Sequence, residues 1–237
     1  MKYMADLTRK EVILLIASGN KLNLRGVNLS DLDLSFLDLT GVCLVNANLA
    51  NVILKESILL GADLSGADLS RADLSGANLT SVNLSGANLS GASLFNVEMT
   101  NANLNNARLR DASLKLSDIS YSTFTSSNLM FADLSETNMT NVNLIETNLA
   151  SANLAGAFLN GALVNEANML GVNLSNSDII NSSFQKASLM DANLRDTKIE
   201  YVNFLDACFV RADFSGATLK DVNFKNAELD KVIGLRF

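Results

Sequence analysis

The chain has 237 residues with 18 basic and 25 acidic side chains, and its net charge of −7 argues against general affinity for nucleic acid phosphates. It contains no histidine and no tryptophan, which excludes catalytic and metal sites built on histidine. Proline is also absent, and neither a linker nor a charge run interrupts the sequence, so the composition indicates one continuous domain.

Residues 1–21 predict a short capping helix. Thr8 and Glu11 have the spacing of a capping box, and Gly19 is expected to end the helix. Residues 9–18 then form an amphipathic helix over the first coil, with three apolar residues on one face: Val12, Leu15 and Ile16. The apolar run is short and follows acidic residues, so we expect neither a signal peptide nor a membrane span, no membrane partner and a cytoplasmic location.

A strict period of five begins after this segment. From residue 24 to residue 229, each of 42 consecutive positions spaced five apart is large and apolar. A second column, two residues earlier, holds mainly Ala, Val, Ser and Thr. Neither helical nor simple strand periodicity gives a period of five.

In a unit such as residues 67–71 (Ala-Asp-Leu-Ser-Arg), an extended segment points Ala67 and Leu69 inward and Asp68 outward. The last two residues of the unit must turn the chain, and Gly and Asn recur at these positions. Repetition predicts a closed coil filled with side chains. Its interior is therefore a hydrophobic core and not a ligand pocket.

Residues 62–66 (Ala-Asp-Leu-Ser-Gly), 87–91 and 152–156 match the signature A-[DN]-L-x-x, and the chain resembles pentapeptide-repeat proteins over about residues 22–232. The resemblance implies an all-β solenoid, a right-handed quadrilateral β-helix with 20 residues per coil and about 10 coils. Three phenylalanines lie 20 apart and are expected to stack inside it: Phe184, Phe204 and Phe224. The predicted organisation is a capping helix (1–21), the β-helix (22–232) and a C-terminal tail (233–237).

The C-terminal residues are expected to cover the last coil or to mediate end-to-end dimerisation through Val232, Leu235 and Phe237. The sequence leaves a monomer and an end-to-end homodimer open. Cys43 and Cys208 lie near opposite ends of the predicted solenoid, which excludes a disulfide between them. Carboxylates on a convex rod lie in water without a cleft, so we expect no enzyme activity, no cofactor and no metal.

With 20 residues per coil, every residue is assigned to one of four sides, named here by their first central residues: Leu24, Leu29, Leu34 and Leu39. The Leu34 and Leu39 sides are mildly acidic, each with a charge of −4. Some pentapeptide-repeat proteins that protect DNA gyrase from quinolones are thought to imitate duplex DNA. The negative charge on these sides is far less dense than the one charge per ~1.7 Å of axis in duplex DNA. A DNA-mimicking gyrase inhibitor or protector is therefore the alternative and not the leading hypothesis.

The Leu29 side predicts a different kind of site. Outward positions directly after its central residues carry large apolar groups in the C-terminal half, and a phenylalanine adjoins them. We call this set the apolar stripe: Met130, Phe131, Leu170, Met190 and Val210. Such residues mark a partner site or simply stabilise neighbouring coils by packing along the rod. The leading hypothesis is a non-catalytic scaffold that binds an unidentified protein partner, not nucleic acid, through this side.

Overall fold

The computed structural model describes residues 5–19 and 22–235. Helix α1 spans Arg9–Ala17, and three short strands follow late in the chain: β1 at Asp178–Ile180, β2 at Lys198–Glu200 and β3 at Thr218–Lys220. The strands pair in parallel in the order β1-β2-β3, each residue opposite the one 20 positions later. Single parallel bridges with the same offset run from Asn23↔Cys43 to Asp213↔Ile233. The predicted quadrilateral β-helix with 20 residues per coil is confirmed.

Each corner of the coil contains a residue with positive φ, such as Gly26 at 67° and Phe131 at 60°. This conformation is costly for most side chains, so the corner geometry and not the residue type imposes it. Where Asn or Asp precedes the central residue, it usually supports the turn, because its Oδ1 accepts the N–H two residues later. Asp63 accepts the N–H of Ser65 in this way at 3.0 Å. This bond explains the Asp or Asn of the repeat.

Side chains fill the interior as predicted. All central residues from Leu24 to Phe214 are buried. The inward Ser and Thr residues are buried too, and their hydroxyls donate to backbone carbonyls. The phenylalanine stack is confirmed: ring centroids of Phe184 and Phe204 lie 5.2 Å apart, and those of Phe204 and Phe224 lie 5.4 Å apart.

Helix α1 closes the N-terminal end with the predicted capping box. The Glu11 N–H donates to Thr8 Oγ1 at 3.3 Å, and the Thr8 N–H donates to the Glu11 carboxylate at 2.7 Å. Val12 is buried and Ile16 packs on the core, but Leu15 is 39% exposed, so its predicted place on the covered face is wrong. Val12 and Ile16 lie almost in line on the helix, whereas Leu15 is rotated by about 100° from Ile16.

Asp6, just before α1, and Arg9, its first residue, form hydrogen bonds with backbone groups at the open edge of the first coil. The Asp6 N–H donates to the Asn28 carbonyl at 2.8 Å, and its carboxylate accepts the Asn28 N–H at 2.7 Å. The Arg9 guanidinium donates to the carbonyls of Asp33 at 2.6 Å and Ser35 at 2.9 Å. Exposed strand edges invite pairing with other chains, and these contacts block it here.

At the other end, Val232 and Leu235 pack against the core, while Phe237 lies outside the described residues. Ile233 pairs with Asp213, so the bridges reach the first residue of the predicted tail. Gly234 comes so close to the preceding coil that a Cβ there would lie 2.5 Å from the Ser215 nitrogen. Cys43 and Cys208 are both free, in agreement with the excluded disulfide.

Candidate protein-binding surface

Asparagine side chains stabilise the turns of the Leu29 side by accepting a backbone N–H two residues later. Asn128 Oδ1 accepts the N–H of Met130 at 3.1 Å, and Asn168 Oδ1 accepts the N–H of Leu170 at 3.3 Å. Residues before and after each central residue therefore point outward from the same extended segment. Coils stack about 4.8 Å apart, which brings corresponding side chains of successive coils into contact.

The structure separates the apolar stripe into exposed and covered members. Leu170 is 43% exposed and Phe131 is 45% exposed, while Met130 and Met190 are half-buried. Val210 is only 9% exposed, so its predicted role as an accessible contact is wrong. The corresponding positions in the coils on either side of this short side chain hold Met190 and Asp230. The accessible part of the stripe therefore ends at Met190.

Ion pairs border the stripe at both ends. Arg110 lies 4.6 Å from the Phe131 ring centroid, and its Nε is 3.2 Å from the Asp111 carboxylate. At the other end, Arg211 donates two hydrogen bonds to Asp191 at 2.6 and 2.7 Å. This interaction holds the pKa of Asp191 below its usual value, so the pair stays charged. An apolar centre with a polar rim is the usual anatomy of a protein interface.

Between these ends, the outward residues that flank the central residues carry no charge on the Leu29 side: Asn128, Met130, Asn148, Ala150, Asn168, Leu170, Ser188, Met190, Cys208 and Val210. Burial raises the pKa of the Cys208 thiol, and the adjacent Glu228 raises it further. The thiol is therefore protonated near neutral pH and is a poor nucleophile. The surface presents apolar and amide groups and lacks a reactive group.

The neighbouring Leu24 side carries a second uncharged surface, which the sequence analysis missed. Its corresponding residues in the same coils are also uncharged, and they include Ile145, Leu163 and Leu205. Leu163 is exposed, whereas Ile145 and Leu205 are half-buried. The corner between the two sides carries four charged residues: Glu146, Glu166, Lys186 and Asp206. The signal was available in the sequence, because reading both outward columns of each side together shows it.

Most acidic residues of the Leu34 side are paired with basic residues. Four of its seven acidic residues form ion pairs: Asp33 with Arg9, Asp73 with Lys55, Glu136 with Lys115, and Asp213 with Arg195. Hydrogen bonds from Ser215 hold the pKa of Asp213 below its usual value, and Arg195 adds to this effect. Lys55, Lys115 and Arg195 were already counted in the charge of −4, so Arg9 from α1 brings the side to about −3. Glu56, Asp133 and Asp196 have no ion pair among the described residues.

Across residues 5–19 and 22–235, no group of three or more His, Cys, Asp or Glu side chains is placed to hold a metal ion. Over the same residues, every helix is too short or too polar to cross a membrane. Three depressions in the described residues, lined in turn by Gly234, Ile16 and Gly76 with their neighbours, are open to solvent. Sites for small ligands are usually deeper and more enclosed.

Comparison with known proteins agrees with the coil geometry. A family model described as Pentapeptide repeats matches in eight copies between residues 33 and 165. A second model, described as Pentapeptide repeat region, matches residues 162–233. A comparison with curated proteins gives no match.

Solved structures of pentapeptide repeat proteins resemble the chain. HetL, a protein involved in heterocyst differentiation regulation in Nostoc sp. strain PCC 7120, is 28% identical with a TM-score of 0.51, covering 98% of this chain and 100% of HetL. A protein of the Arabidopsis thaliana thylakoid lumen is 37% identical, TM-score 0.41, covering 45% and 71%. QnrB1, a plasmid-mediated fluoroquinolone resistance protein, is 20% identical, TM-score 0.42, covering 79% and 93%.

Proposed function

The chain belongs to the pentapeptide-repeat family, and from this premise we propose that it is a non-catalytic scaffold that binds a protein partner through its Leu29 side. The uncharged surface between residues 128 and 210 carries the proposal, because it exposes Phe131 and Leu170 beside half-buried Met130 and Met190. Contiguous apolar surface often marks a partner site, and methionine adapts well to a partner's shape. The likeness to HetL, which is involved in heterocyst differentiation regulation, supports a regulatory role. A cytoplasmic location is part of this proposal.

We expect replacement of Met130, Phe131, Leu170 and Met190 by Ser to abolish partner capture. The matched control replaces Tyr121, Phe158 and Tyr201 by Ser on the Leu39 side, where they are comparably exposed. Affinity capture from the native cell, followed by mass spectrometry, compares both variants with the unmodified protein. Proteins retained by the control variant and lost by the stripe variant support the proposal.

Circular dichroism separates binding from folding. If the stripe only packs neighbouring coils together, the stripe variant should melt at a lower temperature and still capture the same proteins. That combination contradicts the proposal. A stripe variant that keeps its β-rich spectrum and melting temperature, and captures none of the partners, supports it.

A DNA-mimicking gyrase inhibitor or protector receives less support from the surface. Ion pairs neutralise four of the seven acidic residues on the Leu34 side. Duplex DNA carries a charge every ~1.7 Å along its axis, a density that isolated unpaired carboxylates do not reproduce. We expect micromolar protein to leave DNA gyrase supercoiling unchanged, with or without ciprofloxacin. A change in supercoiling in either assay favours the alternative.

A further inference from the structure

A notch on the Leu34 side of the N-terminal half is formed where Gly76 stands between two larger residues. The depression measures about 490 Å³ and is lined by Lys55, Glu56, Ser75, Gly76, Phe95 and Asn96. The Glu56 N–H donates to the Ser75 carbonyl at 3.0 Å, and the Gly76 N–H donates to the Phe95 carbonyl at 2.9 Å. The walls therefore belong to coils two apart, about 10 Å from each other. Gly76 has no side chain, and the stem of Glu56 lies over it, since a Cβ at Gly76 would be 3.2 Å from Glu56 Cγ.

The notch carries one uncompensated negative charge. Lys55 Nζ lies 3.1 Å from the Asp73 carboxylate, so these two charges neutralise each other. Partial burial raises the pKa of Asp73, but hydrogen bonds from Ser75 and Lys55 outweigh it and bring the pKa below its usual value. Glu56 is exposed, and its carboxylate forms no ion pair or hydrogen bond with any of the described residues, 5–19 and 22–235.

Phe95 supplies an aromatic face to the same notch and is 43% exposed. Two other exposed rings hold a cation from their own chain: Arg110 lies 4.6 Å from the centroid of Phe131, and Lys220 lies 5.0 Å from that of Tyr201. In the described part of the chain, no cation lies over Phe95. The exposed rings of Phe36, Tyr121 and Phe158 have no cation over them in the described residues either, so what the notch adds at Phe95 is the nearby Glu56 carboxylate.

We propose that Glu56, Gly76 and Phe95 form a socket for an arginine side chain of a partner protein. A planar guanidinium can stack on the Phe95 ring and donate hydrogen bonds to the Glu56 carboxylate at the same time. The lysine ammonium is compact and strongly hydrated, which suits such a flat gap less well. The notch is too open to enclose a small molecule but accepts one group projecting from a protein surface. It lies on another side and in the other half of the rod from the apolar stripe, so it is independent of the proposed function.

The test is an NMR titration of the full ¹⁵N-labelled chain with Nα-acetyl-arginine N-methylamide at constant ionic strength. Citrulline has almost the same shape but no charge, so Nα-acetyl-citrulline N-methylamide is the matched probe. We expect the arginine probe to shift the amide signals of Gly76, Phe95 and Asn96, and the citrulline probe to leave them in place. Glu56→Gln and Phe95→Leu should each reduce the slope of shift against concentration by about 2- to 5-fold.

A second glutamate–glycine pair provides a matched control variant. Glu136 precedes Gly156 by one coil, as Glu56 precedes Gly76, but Glu136 is paired with Lys115 at 3.1 Å and the next coil offers Ser175 and Asn176 instead of an aromatic ring. Glu136→Gln should leave the Gly76 and Phe95 shifts unchanged. Equal shifts from both probes in the unmodified protein would overturn the proposal, and so would unchanged slopes in both socket variants.

Discussion

At single positions of the repeat, the residue type decides which acceptor takes the buried backbone N–H of the inward residue. In a standard unit the N–H of the inward residue closes the turn, as when Ala67 donates to the Leu64 carbonyl at 3.0 Å. At Ala102 a hydroxyl from the next coil takes over this role. Ser122 Oγ accepts the Ala102 N–H at 2.8 Å and donates to the Met99 carbonyl at 2.7 Å. Ser122 thus bridges the turn between Met99 and Ala102, which lies in the preceding coil.

We expect Ser122→Ala to destabilise the protein by about 1–3 kcal/mol, because it leaves the buried Ala102 N–H without its acceptor. Alanine is the commonest residue in this inward column, so the repeat pattern alone predicts a neutral change. The free energy of unfolding, measured by urea denaturation followed by circular dichroism, distinguishes the two expectations.

Ser127→Ala is the matched control, since Ser127 is also buried in the inward column. Its hydroxyl donates to the Phe124 carbonyl at 2.6 Å, but the Ser127 N–H and Thr147 Oγ1 donate to the same carbonyl. No partner is left unsatisfied, so the loss should stay below about 1 kcal/mol. Equal losses in the two variants would show that the bridging role of Ser122 is not what stabilises this turn.

At the scale of elements, features that repeat were predictable and features that join distant segments were not. The period of five predicted the coil, and Thr8 and Glu11 predicted α1, because both patterns are local in sequence. The contacts of Asp6 and Arg9 with the first coil span 22 to 26 residues and follow no period. Nothing in the sequence around these two residues distinguishes them from ordinary surface charges.

The candidate surface was predicted only in part for a related reason. Its side was predictable, because the period assigns every outward residue to a column. The exposure of a single member was not, because it depends on packing in three dimensions: Val210 is 9% exposed and Leu170 is 43% exposed. The arginine socket likewise needs residues from three successive coils, and Gly76 alone is an unremarkable member of the consensus repeat.

On the scale of the whole molecule, the two ends of the described rod differ. Helix α1 covers the first coil, and Asp6 and Arg9 occupy its backbone edge. The last described coil is less well covered, since Leu219, Val222 and Leu229 are half-buried and Ile233 is exposed. Strand β3 lies at the edge of its sheet. A stack of copies joined end to start is therefore blocked at the capped end, while two equivalent last coils can meet.

We expect this 237-residue chain to form a closed homodimer through its last coil, since an interface between identical surfaces ends after two copies. Light scattering should give twice the chain mass of 25.4 kDa. Replacing Ile233 and Leu235 by Asp places charges in the interface, so this variant should return to the single-chain mass. Leu14→Asp is the control, because Leu14 is exposed on α1 at the capped end and should leave the dimer intact. A mass of 25.4 kDa for the unmodified chain at micromolar concentration would contradict the dimer and leave Val232 and Leu235 with a capping role only.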